Sequence, residues 1–468
     1  MREPAAWSSY SMSYRLTLSL LLWSMALSGC ATRTWNQPLG PDVAAGYVFD
    51  ERLPRRNSGE TFVVLAFSGG GTRSAAFAYG LLEKLRDTRV IVDGEPRSLL
   101  HEVDVISSVS GGSYTAAYYG LFGDRIFDDF EPRFLYRDVE GELVSLLLNP
   151  GNLLALASAE YNRGDMAANW LGDHVFDNKT FADMAMGELP YVILNASDLN
   201  TGMTFSFIQQ QFDFLCSDID NYPVAHAVMA SSAVPGLFGS VTLLNHAGGC
   251  PKMANSRNSW VKNSLASDSI LDRRYQVARA LERYFDPRNM PIVRLVDGGV
   301  TDNLGIRGSI VSPVAHYGNV LEMRGAFDSE DLKRIQRVLV IVVNAQTYVD
   351  YEWSRKGRDP GIIDTLDAAF SAAIGILNTE TVSLAKHAFD SWGNYLNAQR
   401  SPAEPKVKIH FVTLTFNQIS DPAEREYFNA IPTTLALPEQ EIDATRDLAG
   451  RLLEGSQEFA NFLNSLNP

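Results

Sequence analysis

The chain has 468 residues, of which 46% are hydrophobic and 20% charged, and its formal net charge is −15. That length and apolar content suit a globular protein with a full-sized core, in one large α/β domain or two ordinary ones. The acidic balance argues against nucleic acid as a partner and provides no electrostatic pull toward anionic lipid, so a membrane substrate would require another means of attachment.

The first element is an apolar run, Leu16–Ser28, preceded by Arg15 and followed by small residues. It is too short to span a bilayer and has the dimensions of a secretory h-region. The run ends Leu27-Ser28-Gly29-Cys30, which resembles the bacterial lipoprotein processing signal. The resemblance implies a signal peptide over 1–29 and a lipid-modified Cys30, whose acyl chains would hold the protein at a membrane whatever its charge. Ala31, in place of Asp, implies the outer membrane of a Gram-negative cell, facing the periplasm. An ordinary signal peptide that contains a cysteine is the alternative. Residues 1–11 form a long polar lead-in with Glu3, so translation is expected to start at Met12. Export would place Cys216 and Cys250 in an oxidising compartment, where a disulfide and two buried thiols are equally open.

Residues 30–59 are polar and rich in Pro and Gly, and are expected to be a tether. Thr61–Phe67 is a continuous apolar run, as a strand buried on both faces requires. Ser74–Leu85 follows with helical spacing. Val105–Val109 and the helix-forming segment after Gly112 make a second strand–turn–helix unit. Tyr191–Asn195, Ile292–Val296, Val338–Val343 and Val407–Leu414 are further strands. Strands alternating with helices predict a mainly parallel sheet with helices on both sides, and such sheets form sites at the C-terminal ends of their strands. Residues 123–185 and 254–290 interrupt the rhythm; each is either surface packing or a lid or wall over the site. An amphipathic helix from Pro438 to Phe462 is expected to pack on the sheet. The C-terminal part, 346–468, continues the rhythm and is expected to extend the same domain as the core at 60–345.

Three segments carry the chemistry. Ser110 stands between a strand and a helix, followed by Gly111 and Gly112. A turn tight enough to expose a hydroxyl there needs small neighbours, and a helix N-terminus beside it favours negative charge. The G-x-S-x-G pattern is met except at its first position, which is Ser108. Gly69-Gly70-Gly71 can turn backbone N–H groups toward an anion at a helix start. Arg73 follows in the first turn, to orient the loop or meet a lipid phosphate. The residues of a P-loop or a dinucleotide fingerprint are missing from this segment. Asp297-Gly298-Gly299 ends a strand with a carboxylate whose next neighbours leave it unobstructed.

In this order the three segments resemble the patatin-like phospholipase family, whose marks are G-G-G-x-R/K, G-x-S-x-G and D-G-G/A. Ala196–Gly202, Ala230–Phe238 and Asp302-Asn303 add to the likeness, which spans about residues 60 to 345. It implies a three-layer α/β/α fold with a mainly parallel sheet. It also implies a Ser110–Asp297 dyad without a histidine, and an oxyanion hole from Gly69, Gly70 and Gly71 with a donor from Gly111. Arg73, Gly112, Gly298 and Gly299 would support them. The expected reaction is ester hydrolysis of membrane phospholipid, with no metal or other cofactor, since no clustered His/Cys spacing is present. A Ser–His–Asp triad drawing on His410 or His316, an esterase or thioesterase for smaller acyl groups, and an anchored non-catalytic protein of the same fold are the competing readings.

Overall fold

In the computed structural model the described residues are 34–40, 46–49 and 59–466, apart from 93, 158–160, 250–257, 309, 323–326, 328, 349–352, 354–356 and 358. Cys30, Cys250 and Met12 lie outside them.

Eight strands form the main sheet: β1 Thr61–Phe67, β2 Val103–Val109, β3 Tyr191–Asp198, β4 Met203–Ser206, β5 Val241–Leu244, β6 Ile292–Asp297, β7 Arg337–Asn344 and β8 Lys408–Thr415. The order is β8-β7-β1-β2-β3-β6-β5, with β4 also paired to β3. From β8 to β3 every pairing is parallel. Every residue of β1, β2 and β3 is buried, which is why these strands are predominantly apolar; the buried exception at the far end of β2, Asp104, accepts Val63 N–H at 2.7 Å. The helices that matter here are α1 Gly71–Asp87, α2 Gly111–Phe122, α3 Val139–Leu147, α4 Pro150–Leu156, α5 Arg163–His174, α6 Val224–Ser232, α7 Ile362–Gln399, α8 Glu439–Glu454 and α9 Gln457–Leu466. The architecture is a mixed, mostly parallel sheet flanked by helices.

The sheet departs from a simple parallel one where the site forms. At Asn195, β3 pairs with Val109 of β2 on one edge and with Ser206 of β4 on the other. At the next residue, Ala196, it pairs with Phe205 of β4 and with Asp297 of β6, antiparallel. Since β4 keeps its edge, β6 must lie on the edge that β2 occupies. The two strands run toward each other along β3, and their C-terminal ends abut.

Two other expectations are corrected. The segment read as a tether is partly core. Asn36 Nδ2 donates to Ser217 Oγ at 2.8 Å, and Gln37–Pro38 pairs with Ser217–Asp218. Tyr47 is fully buried, stacked on Tyr191, and its hydroxyl bridges the backbone N–H and carbonyl of Val192. The polar, Pro-rich composition hid the Tyr47-Val48-Phe49 cluster, which needs burial. The C-terminal amphipathic segment is two helices broken at Gly455: α8 lies chiefly on α1, where a Cβ at Gly80 would stand 2.0 Å from Arg446 O, whereas α9 packs on the sheet as expected, the Phe462 ring 5.6 Å from that of His410 on β8.

Candidate active site

Ser110 follows the last residue of β2 and N-caps α2 with φ 49° and ψ −123°. A non-glycine residue with positive φ is strained, and such strain persists only where the surroundings impose it. Here the surroundings are specific. Ser110 N–H donates to Ser231 Oγ at 2.9 Å. Ser231 Oγ in turn donates to Asn195 O at 2.6 Å and lies 2.9 Å from Ser113 Oγ, which is 3.1 Å from Ser108 Oγ. Ser108, the position that departs from the glycine pattern, thus belongs to a buried chain of hydroxyls and does not hinder the turn.

The abutting strands place Asp297 against this turn. Ser110 Oγ donates to Asp297 Oδ2 at 2.8 Å, and Gly299 N–H donates to Asp297 Oδ1 at 2.8 Å. The end of α6 holds this carboxylate's backbone from behind: Asp297 N–H donates to Ala233 O and Gly298 N–H to Ser231 O. Gly298 has no space for a side chain, since a Cβ would stand 2.3 Å from Asn195 O. Burial pushes the Asp297 carboxyl up to about 6; the hydrogen bonds from Gly299 and Ser110 pull the other way.

Gly70 and Gly71 both have positive φ, and Gly71 opens α1. A Cβ on Gly111 would stand 2.0 Å from Gly71 O, so the N-termini of α1 and α2 touch. The backbone N–H groups of Gly70, Gly71 and Gly111 make no hydrogen bond within the described residues. Gly69 differs from its expected role. Its N–H donates to Asn303 O at 3.0 Å and is therefore unavailable to an oxyanion; its lack of a side chain is required by the nearby Asn303 Oδ1. Gly112 N–H likewise donates to Ser68 O. Arg73 is buried and tied by all three nitrogens: Nε to Ala345 O at 3.0 Å, one terminal nitrogen to Ile431 O, the other to Thr433 Oγ1 at 3.0 Å. It orients the loop and is not placed to meet a lipid phosphate. Burial lowers its pKa to about 10, which leaves it cationic at neutral pH.

Ser110, Gly71 and Gly111 open into a cavity of about 220 Å³. Leu143, Val144 and Leu147 of α3, Met166 and Ala167 of α5, and Leu237, Phe238 and Leu435 make most of its wall. The insertion at 123–185 therefore supplies a wall of the site through α3 and α5. The helices Ser259–Ser267 and Arg273–Leu281 of the other insertion do not line it. Among the described residues, no histidine lines the cavity. His316 Nε2 lies 2.9 Å from Ile310 O; His410, on β8 three strands or about 14 Å across the sheet from β2, has its Nδ1 2.8 Å from Glu458 Oε1 of α9. Cys216 is disulfide-bonded.

Sequence reasoning did not find Ser231 or Asn303 as parts of the site, although both fall in the segments Ala230–Phe238 and Asp302-Asn303 that carry the family likeness. Serine on a helix gives no signal of its own.

A family model described as patatin-like phospholipase matches residues 65–310, just over half of the chain. No curated protein matches the sequence. Among solved structures, human GIVD cytosolic phospholipase A2 aligns with a TM-score of 0.44 at 13% identity, over 87% of this chain and 62% of its own. VipD from Legionella pneumophila aligns with a TM-score of 0.27 at 11% identity, over 84% of this chain and 67% of its own. The chain thus spans about three fifths of the human protein.

Proposed function

The chain belongs to the patatin-like phospholipase family, and from that premise we propose that it is a serine acyl hydrolase cleaving carboxylic ester bonds of membrane phospholipids through a Ser110–Asp297 dyad. Membership supports lipid acyl hydrolysis at the level of the family. The observation that supports the finer reading most is the 2.8 Å hydrogen bond from Ser110 Oγ to Asp297 Oδ2, beside unpaired glycine N–H groups in an apolar cavity.

Asp297 takes the proton from Ser110 Oγ as that oxygen adds to the ester carbonyl carbon. The carbonyl oxygen becomes an oxyanion held by N–H groups of Gly70, Gly71 and Gly111, each such donor contributing on the order of 3 kcal/mol. The two helix N-termini and the buried Arg73 cation favour the same charge. Collapse expels the alcohol, which receives the proton from Asp297 and leaves an acyl-Ser110. Water, deprotonated by Asp297, then adds to the acyl carbon; the bond to Ser110 Oγ breaks, Asp297 returns the proton to that oxygen, and the fatty acid is released. A carboxylate whose pKa stands near 6 is a better base than an ordinary aspartate and is still ionised at neutral pH. The acyl chain occupies the cavity along Leu143, Leu147 and Phe238.

Acylation of Cys30 after cleavage of residues 1–29 would place the enzyme on the outer membrane, facing the periplasm. The apolar run ending at Cys30 supports this, and a disulfide at Cys216 fits an oxidising compartment. Labelling with radioactive palmitate, lost in Cys30→Ser, is the expected result.

The test of the reaction is product analysis on phosphatidylcholine vesicles. The parent chain should release free fatty acid, and Ser110→Ala should lower the rate by about three orders of magnitude or more. Absence of release by the parent chain, with short soluble esters cleaved equally well below and above their micellar concentration, would move the reading to a small-ester hydrolase.

A further inference from the structure

Helix α7 is longer than the sheet it packs on. Its 38 residues make a rod of about 57 Å, whereas the eight residues of β7 rise only about 26 Å. The helix starts beyond the end of β7, on the side of the sheet that holds Ser110. It descends to the start of β8, where Asn397 Oδ1 accepts Val407 N–H. The upper half of α7 faces the segment 346–348 across a shallow cavity that Ala368, Ala372 and Gly375 help to line, and hydrogen bonds to the rest of the fold begin at Asn378, whose Nδ2 donates to Gln346 Oε1 at 2.6 Å, and at Thr381, which accepts from Arg307 Nε. Below that point Ala385, Phe389, Trp392 and Leu396 are buried. Residues 362–377, about 24 Å of helix, project past the active-site end.

The projecting part presents an apolar stripe to solvent. Ile362, Leu366, Phe370 and Ile376 are 83%, 66%, 41% and 67% exposed, and helical spacing sets them within a band about 120° wide. At the same end of the fold, Leu148, which C-caps α3, and Leu237 on the cavity wall are also exposed. The two patches are linked through the site: Arg73 bonds Thr433 on the cavity and Ala345 after β7, and Tyr348 N–H donates to Asn429 Oδ1.

By length and composition α7 is apolar enough to cross a membrane, but its lower half is committed to the sheet. The free part falls short of the ~30 Å hydrocarbon thickness, so it suits insertion at headgroup depth and not spanning. The four stripe residues offer on the order of 500 Å² on an isolated convex rod, below the ~800 Å² per partner of a stable protein interface. Residues 362–379 carry Asp364 and Asp367 and no basic residue, so nothing there draws anionic lipid.

We propose that the projecting half of α7, together with the exposed rim at Leu148 and Leu237, seats the protein on a phospholipid bilayer by apolar insertion, turning the cavity mouth toward substrate. The proposal rests on the lipid-hydrolase reading for its purpose. It is tested without relying on turnover, in the full chain carrying Phe370→Trp. A control carries Ile91→Trp, on the hairpin 89–98 at the opposite end of the sheet, where Ile91 is half-exposed. With phosphatidylcholine vesicles whose acyl chains are brominated, Phe370→Trp should add quenching and a blue shift over the parent chain, insensitive to salt, and Ile91→Trp should add neither. Introducing Leu366→Asp beside Phe370→Trp should cut the added quenching about threefold or more. Equal quenching at the two positions overturns the proposal. So does a Phe370→Trp emission already shielded without vesicles in a concentration-dependent way, which would mean that a second copy covers the stripe. Labelling by a soluble fluorophosphonate, lost in Ser110→Ala, reports on the active site separately: its absence in the parent chain would refute the hydrolase reading and leave the quenching result in support of docking.

Discussion

Burial raises the Asp297 carboxyl to about 6, and this one shift has consequences for rate and for stability. As a base the group must be ionised, so the rate on a soluble ester should climb with pH through about 6 and level off above it. For stability the sign is opposite. Unfolding returns the carboxyl to its ordinary 3.8, so between about pH 4 and 6 the folded chain holds the extra proton and stability falls as pH rises. The ionised, buried carboxylate is a burden at neutral pH on the order of 2–3 kcal/mol. Asp297→Asn should therefore abolish turnover and raise the thermal midpoint at pH 7, with a smaller rise at pH 4; a midpoint that drops equally at both would contradict it. Ser231 is the second residue with a defined burden. Its hydroxyl accepts from Ser110 N–H and its carbonyl from Gly298 N–H, so one residue positions both members of the pair. Ser231→Ala strands a buried N–H, a loss of about 1–3 kcal/mol. The expected readout is a kcat lower by about tenfold with KM unchanged, and recovery in Ser231→Thr. A change in KM alone would assign Ser231 to substrate binding.

At the scale of elements, the close approach of α1 and α8 ties the C-terminal segment to the helix that carries the glycine loop. Gly80 stands against Arg446 O, and on the neighbouring turn Arg446 Nε bonds Glu83 at 2.5 Å. Gly80→Ala should overpack this contact and lower stability by about 1–3 kcal/mol, seen as a lower urea midpoint, while the remaining folded protein reacts with a fluorophosphonate at the parent rate. An unchanged midpoint would show that the helices separate freely. The strands with both faces buried were legible to within a few residues, because Thr61–Phe67 and Val338–Val343 are continuous apolar runs. The four-residue strands β4 and β5 were not, since Met203–Ser206 is half polar and too short to show a period. Strand direction leaves no trace in composition, so Ile292–Asp297 was legible as a strand but not as an antiparallel one. The same reason hid how Ser110 and Asp297 meet. Their identities were readable from residue types and order; the end-to-end collision of β2 and β6 that joins them appears only in the pairing of Asn195 and Ala196.

At the scale of the whole molecule, the segment before β1 is more than a leader to the domain. Tyr47 inserts its ring against Tyr191 and Phe181, and its hydroxyl satisfies both backbone groups of Val192, at the base of the strand that guides β2 and β6 together. A membrane tether ending at Cys30 would then be limited to the residues before Asn36, and the enzyme would be held close to the bilayer surface, within reach of α7. Tyr47→Ala should leave a cavity and two unsatisfied groups in the core, lowering stability by about 3–5 kcal/mol. Tyr47→Phe, which keeps the ring and removes only the hydroxyl, should lower it by about 1–3 kcal/mol. The two denaturation midpoints, measured on the same full-length background, separate packing from hydrogen bonding. If neither moved, residues 46–49 would be peripheral after all, and the tether would regain its full reach to residue 59.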